Sequence, residues 1–513
     1  MSTLDAPAPP PLPAAAAPTR WSRWSDRLNP ILVREVQQAV KGRAFGLAVV
    51  VSLSITVVIA AAMASDYDAR SSNGRDAFAA VFATLLPLCV FVVPMQAYQS
   101  MRLELRGGIV EQLLLSRLRP RGILLGKLQA ALVQFVLFVA VLAPTMATSY
   151  LLRGVDLPTI AISLGFAALL CVVATMFAIS SAAQSLLPAL QGVANLGIAF
   201  GLGMAAFGLV IFVASGEYAG AVGALLRSGE FPAVASAMVL GAGFGALIAG
   251  LAAQSFLLHA FENRSTGFRL TLFALPVVAI GWAFAFLPAG SVHEVCLVLA
   301  VMLLFVGILF GVFMVTEQRE LSQRVRAHVP KSAWRALLVA PLLPGRDRGT
   351  LCFVLFLLLL GVPAAVLAAM LPGGFGRTAV GASFALMAAM AAAYALAYFS
   401  IARFVRGKLP PTIAGNNVAR VLLPVILLAF IMVPILLDVF GRGSVRWHWL
   451  HVMNPFWTIE RFAWRSWRSG DTEVTGIVVA ALVALLVLQL PACWRGIAEV
   501  RAAAAARRAS DRA

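Results

Sequence analysis

Few side chains in this sequence carry the makings of a reaction, and those that do lack the neighbours a reaction needs. His448-x-x-His451 puts two imidazoles one turn apart in a Trp-rich segment, with Glu460 nine residues beyond as the one further ligand close in sequence. That falls short of the three or four protein ligands of a zinc site. The run ending in Gly126-Lys127 approaches a phosphate-binding loop, yet Arg121 stands where the first glycine belongs and Leu128 follows the lysine. ATP is therefore not expected to bind this chain through a Walker motif, and no GxSxG, HExxH or EF-hand loop occurs. His293 with Glu294, Asp438, and His259 with Glu262 lie at the ends of apolar runs, where snorkelling or a loop position explains them better than a proton relay. Cys89, Cys171, Cys296, Cys352 and Cys493 lie in or beside apolar runs without a CxxC pair and read as small core hydrophobes. No catalytic, metal or cofactor residues are expected.

What remains is charge and amphipathicity next to the apolar runs. Asn29-Pro30 joins a capping residue to the preferred first residue of a helix, and Leu32, Val33, Val36 and Val40 then share a face, with Arg34, Gln37, Gln38 and Lys41 opposite. The spacing predicts an amphipathic helix within residues 26–43, lying in the membrane interface. A plain basic flank would not need that periodicity. The segment from Arg102 to Lys127 holds Gly107-Gly108, then Ile109-Val110-Glu111-Gln112-Leu113-Leu114-Leu115, then Arg117, Pro120 and Gly126-Lys127. A glycine pair, a short helix with one acid and a proline-started return make a structured knob. Ile109, Leu113, Leu114 and Leu118 outside the bilayer suit a docking surface, whereas a loop that only obeys the positive-inside rule has no use for them.

Composition says what must hold these segments. Of 513 residues 61% are hydrophobic and 12% charged, with a mean hydropathy of +0.90, against roughly 45–50% and about 25% in soluble domains. A span takes about 20 apolar residues. Twelve runs of that length occur: Ala44–Ala64, Ala77–Ala97, Leu128–Leu151, Thr159–Ser180, Gly192–Ser215, Pro232–Leu257, Thr271–Ala289, Val295–Thr316, Thr350–Leu371, Thr378–Ser400, Val418–Asp438 and Val474–Trp494. The expected fold is an all-α polytopic membrane protein with about twelve transmembrane helices. Gly241-x-x-x-Gly245 offers a close helix-packing face in the sixth.

Charge orients the spans. With the N-terminus inside, 30 of the 40 Lys and Arg fall on the inner side, including Lys41, Lys127, Lys331 and Lys408. Both termini are then expected to be cytoplasmic. The outer loop 441–475 carries Trp447, Trp449, Trp457, Trp464 and Trp467, a composition suited to short helices in the interface; a miscounted span would instead place it inside. The net charge of +18 is scattered through short loops, which argues against nucleic acid as a partner. Residues 1–25 are Pro/Ala-rich and expected to be a disordered tail, and residues 495–513 a basic cytoplasmic tail. Between them, 26–260 and 261–494 each hold six spans with the longest inner loop after the second, so the two would be parallel repeats. The second such loop, 317–348, reads equally as a solvated basic loop or as a second knob.

At Asn29-Pro30-Ile31-Leu32-Val33-Arg34-Glu35 and at the stretch from Arg106 through Glu111-Gln112-Leu113-Leu114 to Gly126-Lys127, the chain resembles the permease subunits of bacterial type-2 ATP-binding-cassette exporters. Asn454-Pro455-Phe456-Trp457 is similar to an Asn-Pro motif before the last span of that family. The resemblance implies an elbow helix carrying Pro30, Leu32, Val36 and Val40, and a coupling helix whose Arg106, Glu111, Leu113, Leu114 and Arg117 would dock a separate ATPase. ATP and Mg would be bound by that partner, and the chain would be a transport permease of the inner membrane, not an enzyme. Twelve spans depart from the six of a typical subunit, and fit either an internal pseudo-dimer or half of a homodimer. Two other classes stay open: a membrane-embedded scaffold or assembly factor of a cell-envelope complex, and an ion-coupled secondary transporter, which the lack of midplane charge disfavours.

Overall fold

The computed structural model describes residues 29–65, 73–115, 118–152, 155–184, 188–215, 217–258, 262–288, 292–370, 379–410, 413–442, 449–459, 461 and 472–510. Among these every regular element is helical. In chain order they are α1 (Pro30–Lys41), α2 (Arg43–Ser65), α3 (Asn73–Pro87), α4 (Val93–Arg106), α5 (Ile109–Leu115), α6 (Pro120–Leu151), α7 (Leu157–Ala182), α8 (Pro188–Ala214), α9 (Glu217–Arg227) and α10 (Phe231–Leu257). There follow α11 (Thr266–Phe286), α12 (Val292–Val315), α13 (Gln323–Arg326), α14 (Ala333–Val339), α15 (Arg346–Met370), α16 (Ala379–Lys408), α17 (Ile413–Arg442), α18 (Pro455–Ile459) and α19 (Thr472–Ser510). A π-helical turn, Leu88–Val92, joins α3 to α4 within a single rod from Gly74 to Arg106.

All twelve expected apolar runs fall on long helices. Among the described residues eleven helices are long and apolar enough to cross a membrane; the remaining run lies on α15, where an apolar stretch follows Arg346, Asp347 and Arg348. A helix satisfies every backbone group within one segment, which is what each of these apolar runs needs in lipid. Several helices run past the bilayer-length stretch: α4 to Arg106, α6 from Pro120, α16 to Lys408 and α19 to Ser510. The expected basic tail after Trp494 is thus mostly helix.

Apolar packing gathers into two large clusters. One runs from Phe45 to Leu257 and is built by α2 to α10; the other runs from Phe268 to Ile459 and is built by α11, α12 and α15 to α18. The pairs that pack correspond between them. The α3–α4 rod lies on α6, α7 and α8, and α12 lies on α15, α16 and α17; α7 packs on α6 and α10, and α16 on α15 and α19. The two sets meet through α10 and α11, with Phe256 and Phe313 centroids 6.1 Å apart and Trp282 Nε1 donating to Ser236 Oγ at 2.9 Å.

The closest helix approach is not the expected one. A Cβ on Gly241 would meet nothing, and one on Gly245 only Val173 at 3.8 Å, so this pair makes no tight face. Gly307 and Gly311 of α12 do: Cβ atoms there would meet Ala395 Cβ at 2.6 Å and Phe399 Cδ2 at 3.0 Å on α16. Here a small-xxx-small face is filled by a facing alanine and a ring, which the sixth span does not offer to its neighbours.

Candidate functional site

The end of the bundle that carries α1 also gathers the segments 107–119 and 316–345 and the last turns of α19, and its charges are organised rather than scattered. α1 starts where the sequence says it should. Asn29 caps it, its Oδ1 accepting from Ile31 N at 3.1 Å, while its Nδ2 donates to Gly122 O at 2.8 Å on the first turn of α6. Gly126 allows this seat: a Cβ there would lie 2.9 Å from Asn29 Nδ2 and from Ile31 Cβ. The face turned toward the other helices is a separate one from the expected interfacial stripe. Ile31 and Glu35 are buried, Leu32 and Val36 half-buried, and Val40 is 45% exposed. A carboxylate lies beside Ile31 on that buried face.

Glu35 sits there because Lys127 does. The Lys127 ammonium, in a residue 2% exposed, donates to Glu35 Oε1 at 2.7 Å and Ser100 Oγ at 2.7 Å and lies 2.9 Å from Glu104 Oε2. Ser100 Oγ donates to Glu35 Oε2 at 2.8 Å, and Arg34 pairs with both carboxylates. Two cations and two carboxylates from α1, α4 and α6 form a neutral knot. Removing one partner of such a set costs about 3–5 kcal/mol, because the other charges stay buried. Glu35, Ser100, Glu104 and Lys127 are therefore the structural centre of the site; the sequence places Glu35 and Lys127 within the two motifs but gives neither a role, and Ser100 and Glu104 carry no signal at all.

The knob itself stands on this knot. α4 ends at Arg106, whose guanidinium donates to Gln191 Oε1 at 3.2 Å, and Gly108 at φ +68° turns the chain into α5. On α5, Val110 is buried, Leu113 and Leu114 are half-buried, and Glu111 and Gln112 are exposed. Leu115 is 85% exposed. Of the expected docking residues, Arg106 and Glu111 face outward, Leu113 and Leu114 chiefly anchor the knob, and Arg117 lies outside the described residues. Leu115 is the apolar residue the knob presents most fully. Behind it a cavity of about 610 Å³ separates the knob from the end of α10, lined by Glu111, Leu114, Leu118, Gln254, Leu257 and Glu262.

The segment 316–345 is built differently. Glu317 Oε2 accepts from Arg269 at 2.5 Å and from Gly345 N at 2.6 Å, and Arg269, fully buried, also donates to the carbonyls of Pro341, Leu343 and Gly345. Arg348 donates to Glu499 Oε2 at 2.5 Å, and Glu499 Oε1 accepts from Leu321 N at 2.9 Å. The far turns of α19 thus lie over the segment, and Val500 and Ala504 close a small core of Leu321, Val325, Val329, Ala336, Ala340 and Leu343. Trp334 and Leu338, one turn apart on α14, stay 67% and 58% exposed. It is a folded unit, not a solvated loop.

Comparison with known proteins adds no family. No protein-family model matches the chain, no curated protein matches its sequence and no solved structure matches it. The reading of this site therefore rests on its own geometry.

At the opposite end each set of spans carries a small cap. In the first, Tyr218 of α9 donates to Ser163 Oγ at 3.1 Å, and burial pushes its phenol above the usual range. In the second, the turn Trp449–Met453 and α18 are held by Tyr394 and Tyr398, which donate to Val452 O and Met453 O, both at 2.6 Å. Asn454 of the Asn-Pro motif donates to Ile431 O at 3.2 Å and accepts from Trp457 N at 3.2 Å. Asp438, expected at a span end, is buried with its Oδ2 2.9 Å from His451 Nε2. No group of metal-ligating side chains occurs among the described residues; His448, Trp447, Trp464 and Trp467 lie outside them.

Proposed function

We propose that this chain is the membrane-spanning permease of an ATP-driven exporter of the type-2 ABC class, with ATP and Mg bound by a separate ATPase that docks on α5. One observation carries the reading: the exposed knob is rigidly joined, through the Lys127–Glu35–Glu104 knot, to α1, α4 and α6. A load on Glu111 and Leu115 is then passed to the second and third spans together and not absorbed by a slack loop. Coupling of this kind needs a partner whose affinity differs between two arrangements of the spans. The corresponding helix pairs in 26–260 and 261–494 support reading them as parallel repeats, an internal pseudo-dimer with the knob side cytoplasmic and the chain in a bacterial inner membrane. A homodimer of such chains is the other arrangement.

The test is purification of the tagged full chain from its native membranes in mild detergent. Stoichiometric recovery of a Walker-motif ATPase, lost in a Glu111→Arg variant that inserts normally, is the expected result. Recovery of envelope-assembly proteins without an ATPase would overturn it and favour the scaffold, a reading to which the locked 316–345 platform lends itself.

A further inference from the structure

Two cavities in the first set of spans join into one amphipathic cleft. The first, about 610 Å³, lies between α2, the α3–α4 rod and α8, with Leu47, Val51, Ile55, Phe91 and Val210 on its walls. The second, about 520 Å³, continues from it under α1 and is polar, with Gln38, Gln99, Gln134 and the Lys127 knot around it. Ala44, Gln96 and Gln99 line both. The π-helical turn Leu88–Val92, between Pro87 and Pro94, forms part of the apolar wall. Such turns widen a helix locally and recur at functional sites.

Length and chemistry fix what fits. The apolar wall follows α2 from Ala44 to Ile55, eleven steps of about 1.5 Å, or roughly 17 Å. Half the hydrocarbon thickness of a bilayer is about 15 Å. The cleft therefore holds a chain of one leaflet and not a membrane-spanning molecule. Leu47, Val51 and Ile55 are 69%, 47% and 42% exposed, so the apolar part opens sideways, where a lipid can enter. At the polar end the charges of Arg34, Lys127, Glu35 and Glu104 cancel within the knot, leaving no net pull on an anionic head. Around it Arg34 Nε and Gln96 Nε2, donors, and Gln134 Oε1, an acceptor, are buried without a hydrogen-bond partner, the last in a residue 6% exposed. A buried donor and acceptor left open together suit hydroxyl or amide groups, which both give and take hydrogen bonds.

The geometry points to a binding site for an uncharged, hydroxyl-bearing membrane amphiphile, with its acyl chain between α2, the α3–α4 rod and α8 and its head against Gln96 and Gln134. The site needs no ATPase to be occupied, so it stands or falls apart from the exporter reading.

The full chain is reconstituted into phosphatidylcholine nanodiscs containing equal trace amounts of a glucosyl diacylglycerol and phosphatidylglycerol, and retained lipid is counted by native mass spectrometry after delipidation. One glucosyl lipid per chain is expected, held at least tenfold more often than phosphatidylglycerol. Gln134→Leu should erase that preference, and Ala83→Phe, which fills the cleft, should abolish retention. Where Ala83→Phe does not fold, Gln134→Leu alone decides. Equal retention of both lipids by the wild type, which is the behaviour of annular lipid, overturns the proposal. So does unchanged preference in a Gln134→Leu variant that melts like the wild type.

Discussion

The segments 107–119 and 316–345 both follow the second span of their set, both sit at the basic end, and they are finished in opposite ways. The first is short, is gripped from beneath by the Lys127 knot, and turns Glu111 and Leu115 to the outside. The second is longer, is gripped from beneath by Arg269 on Glu317, and is also covered by α19 through Glu499, Val500 and Ala504. The common feature is a carboxylate at the end of one span met by a buried cation at the start of another: Glu104 with Lys127, Glu317 with Arg269. The difference is the lid. A face left open above a rigid base suits an incoming partner, whereas a face closed by the chain's own helix is already partnered.

The strongest way to break the comparison is to remove the shared base. Lys127→Met leaves Glu35 and Glu104 with Arg34 as their one shared cation in the knot, and Arg269→Met leaves Glu317 without its cation and three carbonyls without their guanidinium donor. Each should cost about 3–5 kcal/mol, read as lost yield and a lower melting temperature in detergent. Glu104→Gln should recover part of the Lys127→Met loss, because the one carboxylate that remains, Glu35, still has Arg34 as its cation. A Lys127→Met variant that melts like the wild type would mean the knot is incidental to the fold.

Next is the seat of α1. Gly126→Leu forces a side chain into Asn29 and Ile31, an overpacking worth about 1–3 kcal/mol. The expected outcome is faster proteolysis within 26–43 with the spans intact. If cleavage there is unchanged, α1 is held by something other than its contact with α6.

Removing the lid sharpens the contrast. A chain ending at Arg495 loses Glu499, Val500 and Ala504, so Arg348 and the apolar residues Leu321, Val325 and Val329 lose their cover. Cleavage within 316–345 should rise about tenfold, equivalent to ~1.4 kcal/mol of local opening, while cleavage within 107–119 stays the same. Equal acceleration in both would show that the lid braces the first segment too, for which the nearest link is Glu262, 3.3 Å from Arg324 and on the wall of the cavity beside Glu111.

How far the sequence carries depends on the distance over which each feature is decided. The spans were legible because length of apolar run alone selects a helix in lipid, and the start of α1 was legible because Asn29-Pro30 is a local signal. The inward face of α1 was not, since Glu35 is drawn in by Lys127, ninety-two positions away, and periodicity counts a glutamate as solvent-facing. A lone lysine at the head of an apolar run was the available clue: it must find a carboxylate or leave the membrane. The lid on 316–345 was hidden for a related reason. Ala-rich 501–509 reads as a tail until Leu321, Val325 and Val329 are placed against it. Gly307 and Gly311 escaped notice in favour of Gly241 and Gly245 because spacing marks a small face without saying whether a neighbour fills it.

The smallest effect on the fold is the most informative about function. Glu111 is exposed on α5 and makes none of the contacts that hold the knob, so Glu111→Arg should shift stability by no more than about 0.5 kcal/mol. It reverses a charge one turn from Leu115, on the exposed side of the knob. An ATPase that docks there should be lost from the purified complex, and transport with it, at unchanged melting temperature. The matching exchange on the closed segment, Trp334→Arg, changes a residue 67% exposed on α14. If the lid means that segment is already partnered, Trp334→Arg leaves ATPase recovery intact while Glu111→Arg abolishes it. Equal loss from both would make the two segments equivalent docking sites, and the asymmetry between them a matter of how each is braced and not of what each receives.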